Sequence, residues 1–284
     1  MKHFFSVEDV QNLPELLKKA LEIKSNPLAD LQYGKNKTLG LIFFNPSLRT
    51  RMSSQKAAYN LGMNVITMNV GSDGWQLETE EGAIMNGGKA EHIKEAAMVM
   101  SAYCDVIGIR CFAGLEDKAE DDAEKVLMGF MKFATVPIIN LESSTLHPLQ
   151  SFADLITIES FKKVQKPKVV LTWAPHIKSI PQCVSNSFSE WMNAWGEADF
   201  VITHPEGYEL ATQFTEGATI THDQVAALKD ADFVYVKNWS AYEDYGKVFC
   251  TDPAWMLTEN SLKHSNNAKV MHCLPVRRNV ELSD

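Results

Sequence analysis

Short runs of apolar, mostly β-branched residues recur along the chain and alternate with longer amphipathic stretches. The short runs predict buried strands, and stretches with apolar positions three to four residues apart predict helices. The later runs are apolar almost throughout, which is typical of a parallel sheet covered by helices on both faces. Their alternation predicts an α/β fold. The predicted strands are Leu39–Phe44, Val65–Met68, Val106–Ile109, Pro137–Asn140, Val169–Trp173, Phe200–Thr203, Phe233–Val236 and Val270–Cys273.

The first of the predicted helices follows Ser6, which with Asp9 forms a capping-box pattern. A basic polar segment, residues 162–168, separates a helix from a new strand and suggests a domain boundary near that helix. We therefore predict two domains of similar size, residues 1–148 and 149–284, each a parallel sheet flanked by helices. The predicted helices are Val7–Lys24, Arg51–Leu61, His92–Tyr103, Glu120–Phe133, Leu149–Phe161, Pro181–Trp195 and Tyr208–Phe214.

Composition narrows the function classes. Of 284 residues, 36 are acidic and 27 are basic, and the net charge of −9 argues against non-specific nucleic-acid binding. A local arginine cluster still attracts a small anion, because nearby charges dominate within a Debye length of about 8–10 Å. No uncharged apolar run approaches the roughly 18 residues of a membrane span. The five cysteines lack CxxC spacing, and the chain start lacks a signal-peptide core, so we expect a cytoplasmic protein without a disulfide framework.

Polar residues follow several predicted strands, where ligands bind in open α/β sheets. Ser47, Arg49 and Thr50 lie between the first strand and a helix start, whose unpaired N–H groups and dipole favour an anion such as phosphate. The alternative is a serine-capped helix with solvated arginines. Arg110 ends the third strand and needs a partner there, either a ligand or an acidic loop.

Two further candidate segments follow the fourth and the last predicted strands. His147 and Gln150 lie three residues apart at a helix start, so both face one spot and can polarise a carbonyl oxygen. A capped helix with a surface histidine is the alternative. The adjacent His272 and Cys273 point to opposite sides of an extended chain, so we do not expect them to bind a metal together.

In this order, the segments SLRTR (47–51), Arg110, HPLQ (147–150) followed by Asp154, and HCLP (272–275) resemble the aspartate/ornithine carbamoyltransferase superfamily. The resemblance covers essentially the whole chain. Leu48 replaces the second residue of the S-T-R-T-R pattern, and HCLP matches the ornithine branch where the aspartate branch has H-P-L-P. The resemblance implies an active site in the cleft between the two domains and no metal or organic cofactor.

The resemblance also implies residue roles. Four residues would donate to the carbamoyl oxygen, where negative charge grows during attack by the amine: Arg110, His147, Gln150 and Thr50. The backbone carbonyls of Cys273 and Leu274 would orient the carbamoyl nitrogen, and the leaving phosphate would take the proton. The residues implied for carbamoyl phosphate binding are Ser47, Leu48, Arg49, Thr50, Trp75, Arg110, His147 and Gln150.

The amine substrate is indicated by Lys237, which leaves the second-domain sheet where ornithine enzymes carry a D-x-x-x-S-M-G segment. A lysine repels an α-ammonium group and attracts a carboxylate, so the chain resembles the N-acylornithine branch. Trp75 resembles the loop tryptophan that this branch sends into a neighbouring subunit, which implies a homotrimer. The positions implied for the amine substrate are Glu142, His176, Lys237, Arg278 and Ala90.

The acyl group depends on position 90, which in this branch tends to be Glu for acetylornithine and Pro for succinylornithine. Ala90 removes both the bulk and the charge of a glutamate, which favours a longer succinyl group whose carboxylate pairs with Arg278 or Lys237. N-acetylornithine, free ornithine and an inactive relative that keeps the phosphate pocket stay open as alternatives. The family's C-terminal helix is expected after the last motif, but no such segment follows in this sequence.

Overall fold

The computed structural model describes residues 2–284. The described chain divides into two compact units. Unit 1 holds residues 2–113 and 119–144, and unit 2 holds residues 114–118 and 145–284. The predicted domain boundary between residues 148 and 149 stays a prediction.

Unit 1 is built on a four-stranded sheet in the order β2-β1-β5-β6, in which all neighbours are parallel. Because side chains alternate along a strand, both faces of this sheet are apolar and helices cover each of them. Ile42 and Ile109 pack with α3 and α5 on one face, and Leu41 and Ala58 pack together on the other. The elements are α1 Leu13–Ser25, β1 Thr38–Phe43, α2 Arg49–Asn60, β2 Asn64–Asn69, β3 Leu77–Glu78, β4 Glu91–His92, α3 Ile93–Tyr103, β5 Val106–Arg110, α4 Lys118–Asp122, α5 Lys125–Phe133 and β6 Ile138–Glu142.

Unit 2 is built on a five-stranded parallel sheet in the order β11-β10-β7-β8-β9. Its central strands are almost fully buried, with Val170, Val234 and Val236 at 0% exposure in one apolar cluster. The elements are α6 Pro148–Phe161, β7 Lys168–Trp173, α7 Cys183–Trp195, β8 Asp199–Thr203, α8 Thr212–Thr215, β9 Thr219–Thr221, α9 Gln224–Leu228, β10 Phe233–Lys237 and β11 Lys269–Met271.

Each sheet has one point at which the strand order reverses, and ligands of open α/β sheets bind beyond the carboxyl ends at such points. In unit 1 the chain runs from β1 outward to β2 and returns to β5, so the reversal lies between β1 and β5. In unit 2 it lies between β7 and β10. The loops that leave β1, β5, β7 and β10 are therefore the candidate ligand-binding loops.

The predicted strands are all present, and their ends differ from the prediction by at most two residues. The last one ends at Met271, before Cys273. The predicted helix Val7–Lys24 is wrong in its first part, because Asn12 caps α1 and Pro14 occupies its first turn. Val7–Asp9 instead forms a separate 3₁₀ turn with the predicted Ser6 and Asp9 capping box.

Two other helix predictions need correction. The helix Glu120–Phe133 is interrupted, because Glu124 has a left-handed backbone (φ 49°) between α4 and α5. The helix Tyr208–Phe214 is wrong: only α8 forms, and Tyr208 lies buried against Trp173 with ring centroids 4.7 Å apart. In residues 2–284, no helix has the length and apolar character needed to cross a membrane.

Candidate active site

The loop after β1 leads into the start of α2. Ser47 and Thr50 are half-buried, whereas Leu48 and Arg49 are exposed. Leu48 is the N-cap and makes no side-chain capping bond, and the first turn of α2 holds no acidic residue. The first N–H groups of the helix and its positive dipole end therefore face no competing carboxylate of that turn, which suits an anion.

Arg110 ends β5 and connects three parts of unit 1. Its Nε donates to Glu142 Oε2 at 3.0 Å, and its Nη1 donates to the backbone oxygens of Asn45 (3.3 Å) and Pro46. Its guanidinium lies 4.0 Å from the centroid of the Phe112 ring. The partner expected for a buried arginine is therefore the carboxylate of Glu142, itself only 7% exposed. Within residues 2–284, Nη2 makes no hydrogen bond and is left to a ligand.

Trp75 and Ala90 lie on one exposed segment of unit 1. The two-residue strands β3 and β4 pair in parallel and bring the two ends of this segment together. The Trp75 indole, 59% exposed, donates from Nε1 to Glu91 Oε2 at 2.8 Å. Ala90 is exposed and directly precedes Glu91. The structure thus places Trp75, a predicted carbamoyl phosphate-binding residue, in contact with the residue next to Ala90, the predicted acyl-group position.

His147 and Gln150 lie at the start of α6 in unit 2. His147 is the N-cap, Pro148 follows it, and the His147 N–H donates to Ser187 Oγ at 3.0 Å. Gln150 is half-buried, and its Nε2 donates to Asp154 Oδ1 at 3.0 Å. Burial raises the pKa of Asp154 to about 7, although the nearby Tyr235 hydroxyl and the hydrogen bond from Gln150 act in the opposite direction.

A cluster of charged and imidazole groups lies beyond β7 and β10. Lys237 ends β10 and His176 follows β7, and each is 8% exposed. Arg277 Nε donates to His176 Nε2 at 3.0 Å, and His176 Nδ1 lies 2.7 Å from the Lys178 carbonyl oxygen. A neutral imidazole with its proton on Nδ1 satisfies both contacts. Burial lowers the pKa of His176 overall, although the bond to the Lys178 backbone and the charge of Glu281 act to raise it. The charges of Arg277 and Lys237 act in the same direction as burial.

Glu281 is the acidic member of this cluster and is only 1% exposed. It lies 3.6 Å from His272 Nε2, and its Oε2 accepts from the Arg277 N–H at 2.8 Å. Burial acts to raise the pKa of Glu281, but the neighbouring His272, the hydrogen bond from the Arg277 N–H and the charge of Lys237 lower it overall. Lys237 makes no ion pair within 4.0 Å among the described residues, so its buried charge is available to an anionic ligand.

The last predicted segment is an irregular loop after β11. Cys273 is half-buried, and Leu274 is exposed with a left-handed backbone (φ 55°) and a cis bond to Pro275. Arg278 is exposed and pairs with Asp284 at 2.7 Å. The neighbouring Arg277, which the sequence reasoning did not select, makes the contact to His176.

The structure therefore brings some of the predicted residues together, in one group in each unit, while Gln150 pairs with Asp154 and Arg278 with Asp284. Unit 1 joins the loop after β1 to Arg110 and Glu142, and carries Trp75 with Ala90. Unit 2 joins His176 and Lys237 with Arg277 and Glu281. A signal for Arg277 was its position two residues after HCLP, but spacing alone did not distinguish Arg277 from Arg278.

Comparison with known proteins gives two matches to family models. The carbamoyl-P binding domain of aspartate/ornithine carbamoyltransferase matches residues 2–160, and the Asp/Orn binding domain of the same family matches residues 183–284. These matches cover most of the chain.

Individual relatives agree with the family models. The chain is 52% identical over 286 positions to N-succinylornithine carbamoyltransferase of Bacteroides thetaiotaomicron, covering 100% of this chain and 90% of the relative. It is 32% identical to N-acetylornithine carbamoyltransferase of Xanthomonas axonopodis pathovar citri, covering 100% and 88%. A solved variant of N-acetyl-L-ornithine transcarbamylase, complexed with carbamyl phosphate and N-succinyl-L-norvaline, superimposes with a TM-score of 0.89 at 33% identity, covering 100% of this chain and 91% of that chain.

Proposed function

The chain belongs to the aspartate/ornithine carbamoyltransferase family, and we propose that it transfers the carbamoyl group of carbamoyl phosphate to the side-chain amine of N-succinylornithine. The products are N-succinylcitrulline and phosphate, which fits a step of arginine biosynthesis. The observation that carries this proposal is the 52% identity to an N-succinylornithine carbamoyltransferase across the whole chain. The buried charges of unit 2 support an amine substrate that carries carboxylates.

Unit 1 supplies the phosphate-binding residues in this proposal. The N–H groups at the start of α2, with the side chains of Ser47, Arg49 and Thr50, hold the dianionic phosphate. Arg110 is already held by Glu142 and the loop after β1, so its remaining Nη2 is oriented before the substrate arrives. A donor that needs no rearrangement stabilises the charge that grows on the carbamoyl oxygen. Leu48 contributes a backbone N–H, and Trp75 reaches carbamoyl phosphate from a neighbouring subunit.

Unit 2 supplies the remaining contacts. His147 and Gln150 bind the carbamoyl group, and the carbonyls of Cys273 and Leu274 orient its nitrogen. The neutral amine attacks the carbamoyl carbon, the bond to the phosphate oxygen breaks, and the departing phosphate takes the proton. Positioning and charge stabilisation therefore perform the catalysis.

The amine substrate carries two carboxylates when it is N-succinylornithine. Lys237 is the first candidate for one of them, because a buried ammonium group needs a negative partner. His176 is held beside it by Arg277, which adds a second cation. Glu142, Ala90 and the exposed Arg278 complete the proposed substrate-binding set.

The organisation of the protein follows the same proposal. Residues 1–148 form the carbamoyl phosphate domain and residues 149–284 the acylornithine domain, a division that the descriptions of the two family models support. The protein works as a cytoplasmic homotrimer, in which the exposed Trp75 serves the neighbouring subunit.

Incubation with labelled carbamoyl phosphate and four separate amines tests the reaction. We expect the highest kcat/KM with N-succinylornithine, less with N-acetylornithine, and little with ornithine or aspartate. Turnover with free ornithine alone would contradict the acyl assignment. Binding of carbamoyl phosphate without turnover of any amine would indicate an inactive relative that keeps the phosphate pocket.

A matched pair of lysine variants tests the amine site. Lys237→Met is expected to raise the KM for N-succinylornithine at least tenfold, because it removes a buried cation. Lys166→Met makes the same change at an exposed residue and is expected to leave KM unchanged. Equal effects of the two changes would remove Lys237 from the substrate site.

A further inference from the structure

Asp154 is a buried carboxyl group to which the proposed reaction gives no role. It lies on α6, one helical turn after Gln150, so the two side chains share one face of the helix. It is 7% exposed, and its Oδ1 accepts the Nε2 hydrogen bond of Gln150 at 3.0 Å. Burying a carboxyl group has a large desolvation free energy, which an apolar or amide side chain at the same position would avoid.

Tyr235 is the second polar group at this position. It lies in the middle of β10 at 0% exposure, and its ring stacks on Phe188 with centroids 4.4 Å apart. Burial raises the pKa of its hydroxyl well above the usual value, and the neighbouring Asp154 and Cys273 raise it further. The hydroxyl and Asp154 Oδ2 are both buried, and neither makes a hydrogen bond of ordinary geometry.

This arrangement determines the orientation of the Gln150 side-chain amide. A primary amide can present either its NH₂ end or its oxygen to a neighbour, and the two orientations are close in shape. An ionised carboxylate accepts hydrogen bonds and donates none, so only the NH₂ end of Gln150 can face it. Since burial raises the pKa of Asp154 to about 7, this holds above pH 7, where the carboxyl is ionised and the oxygen end of the amide points away from it.

We propose that Asp154 and Tyr235 are positioning residues that hold the Gln150 amide in a single orientation for the carbamoyl group, an inference that rests on the proposed function. Tyr235 acts by limiting where the carboxyl can move, since its own ring is fixed against Phe188. The same tyrosine neighbours Cys273, so one buried group links the helix that carries Gln150 to the segment that carries Cys273 and Leu274.

A double-mutant cycle tests the proposal. Asp154→Asn keeps the shape but lets the amide of Gln150 adopt both orientations, and we expect kcat/KM for carbamoyl phosphate to fall about tenfold, within the range for one active-site hydrogen bond. In a Gln150→Ala background the same change is expected to have less than a twofold effect, because Asp154 acts through Gln150. Tyr235→Phe should show the same dependence with a smaller loss. Equal losses in both backgrounds, or no loss from Asp154→Asn, would overturn the proposal.

Asp232→Asn is the matched control in the same unit. Asp232 accepts from the Lys168 N–H at 2.8 Å at the amino end of β7, so its change should leave kcat/KM unaltered. A loss equal to that of Asp154→Asn would show a general effect on unit 2 and would overturn the positioning role.

A second measurement does not depend on activity. The Gln150 side-chain amide signal is identified in the NMR spectrum by its loss in Gln150→Ala, and its hydrogen exchange is measured. We expect exchange at least tenfold faster in Tyr235→Phe or Asp154→Asn than in the unaltered protein, whereas unchanged exchange would overturn the proposal. An unaltered protein that turns over no amine would overturn the proposed function alone, and the exchange rates would still decide the positioning role.

Discussion

The stability of unit 2 should depend on pH through Asp154. The pKa of this carboxyl is raised by burial to about 7 in the folded protein, against 3.8 for an unperturbed aspartate. A raised folded-state pKa means that the folded protein binds a proton that the unfolded chain has already released. The stabilisation is fully present below the unfolded pKa and is lost as the pH rises to the folded pKa.

The magnitude follows from the difference of about three pKa units. Each unit corresponds to about 1.4 kcal/mol, so the full loss between pH 4 and pH 7 is about 4 kcal/mol. Between pH 5 and pH 8 the expected loss is about 2–3 kcal/mol, and above pH 8 the Asp154 contribution no longer changes. This is a large share of the total stability of an ordinary domain.

Urea unfolding followed by tryptophan fluorescence measures this loss. Trp173, Trp191 and Trp239 are fully buried in unit 2 and report on its unfolding. The unaltered protein and Asp154→Asn are compared at pH 5, 6.5 and 8, and only the difference between them is interpreted, so that other titrating groups cancel. We expect the difference in unfolding free energy to move by about 2–3 kcal/mol in favour of the variant as the pH rises. A difference that stays constant across these pH values would refute the reasoning.

Three further changes have defined outcomes. Arg110→Ala should lower kcat/KM at least 100-fold and destabilise unit 1 by about 2–4 kcal/mol, because it removes the ion pair of a buried carboxylate, Glu142; adding Glu142→Gln should restore stability in urea unfolding but not turnover. Ala90→Glu should shift the ratio of kcat/KM values toward N-acetylornithine, and an unchanged ratio in a competition assay would remove position 90 from acyl selection. Gly246→Ala should lower the melting temperature, because its φ is +78° and a new Cβ would lie 2.0 Å from a backbone oxygen. Gly82→Ala, at a φ of +76° with no atom within 4 Å, isolates the effect of backbone strain, and equal losses from both changes would exclude the clash.

The strands were predictable because each is a short apolar run with polar ends, and burial in a parallel sheet requires that pattern. The helix ends were less predictable. An apolar period of three to four residues continues through positions where a single residue begins or interrupts a helix. Asn12 and Pro14 begin α1 where the apolar pattern had already started. Glu124 interrupts another helix with a left-handed backbone, which no periodicity reveals.

Some contacts of the site residues were likewise predictable from the sequence, and others were not. The need of Arg110 for a partner follows from its place at a strand end, and Glu142 lies at the end of the neighbouring strand β6. Arg277 and Arg278 are adjacent and identical in chemistry, so only the turn after HCLP determines that Arg277 contacts His176 while Arg278 pairs with Asp284. Long-range contacts of this kind depend on backbone geometry that local sequence does not specify.

The hydrogen bond between Trp75 and Glu91 has a consequence for protein engineering. The bond links Trp75, which is proposed to serve a neighbouring subunit, to Glu91, the residue next to Ala90. The pairing of β3 with β4 brings the two ends of the segment between them together. Residues 75–92 therefore form a cassette, a segment that can be exchanged between relatives as one piece. We expect exchange of this whole cassette between relatives to transfer acyl preference more cleanly than a single change at position 90, because the aromatic anchor and the specificity position move together.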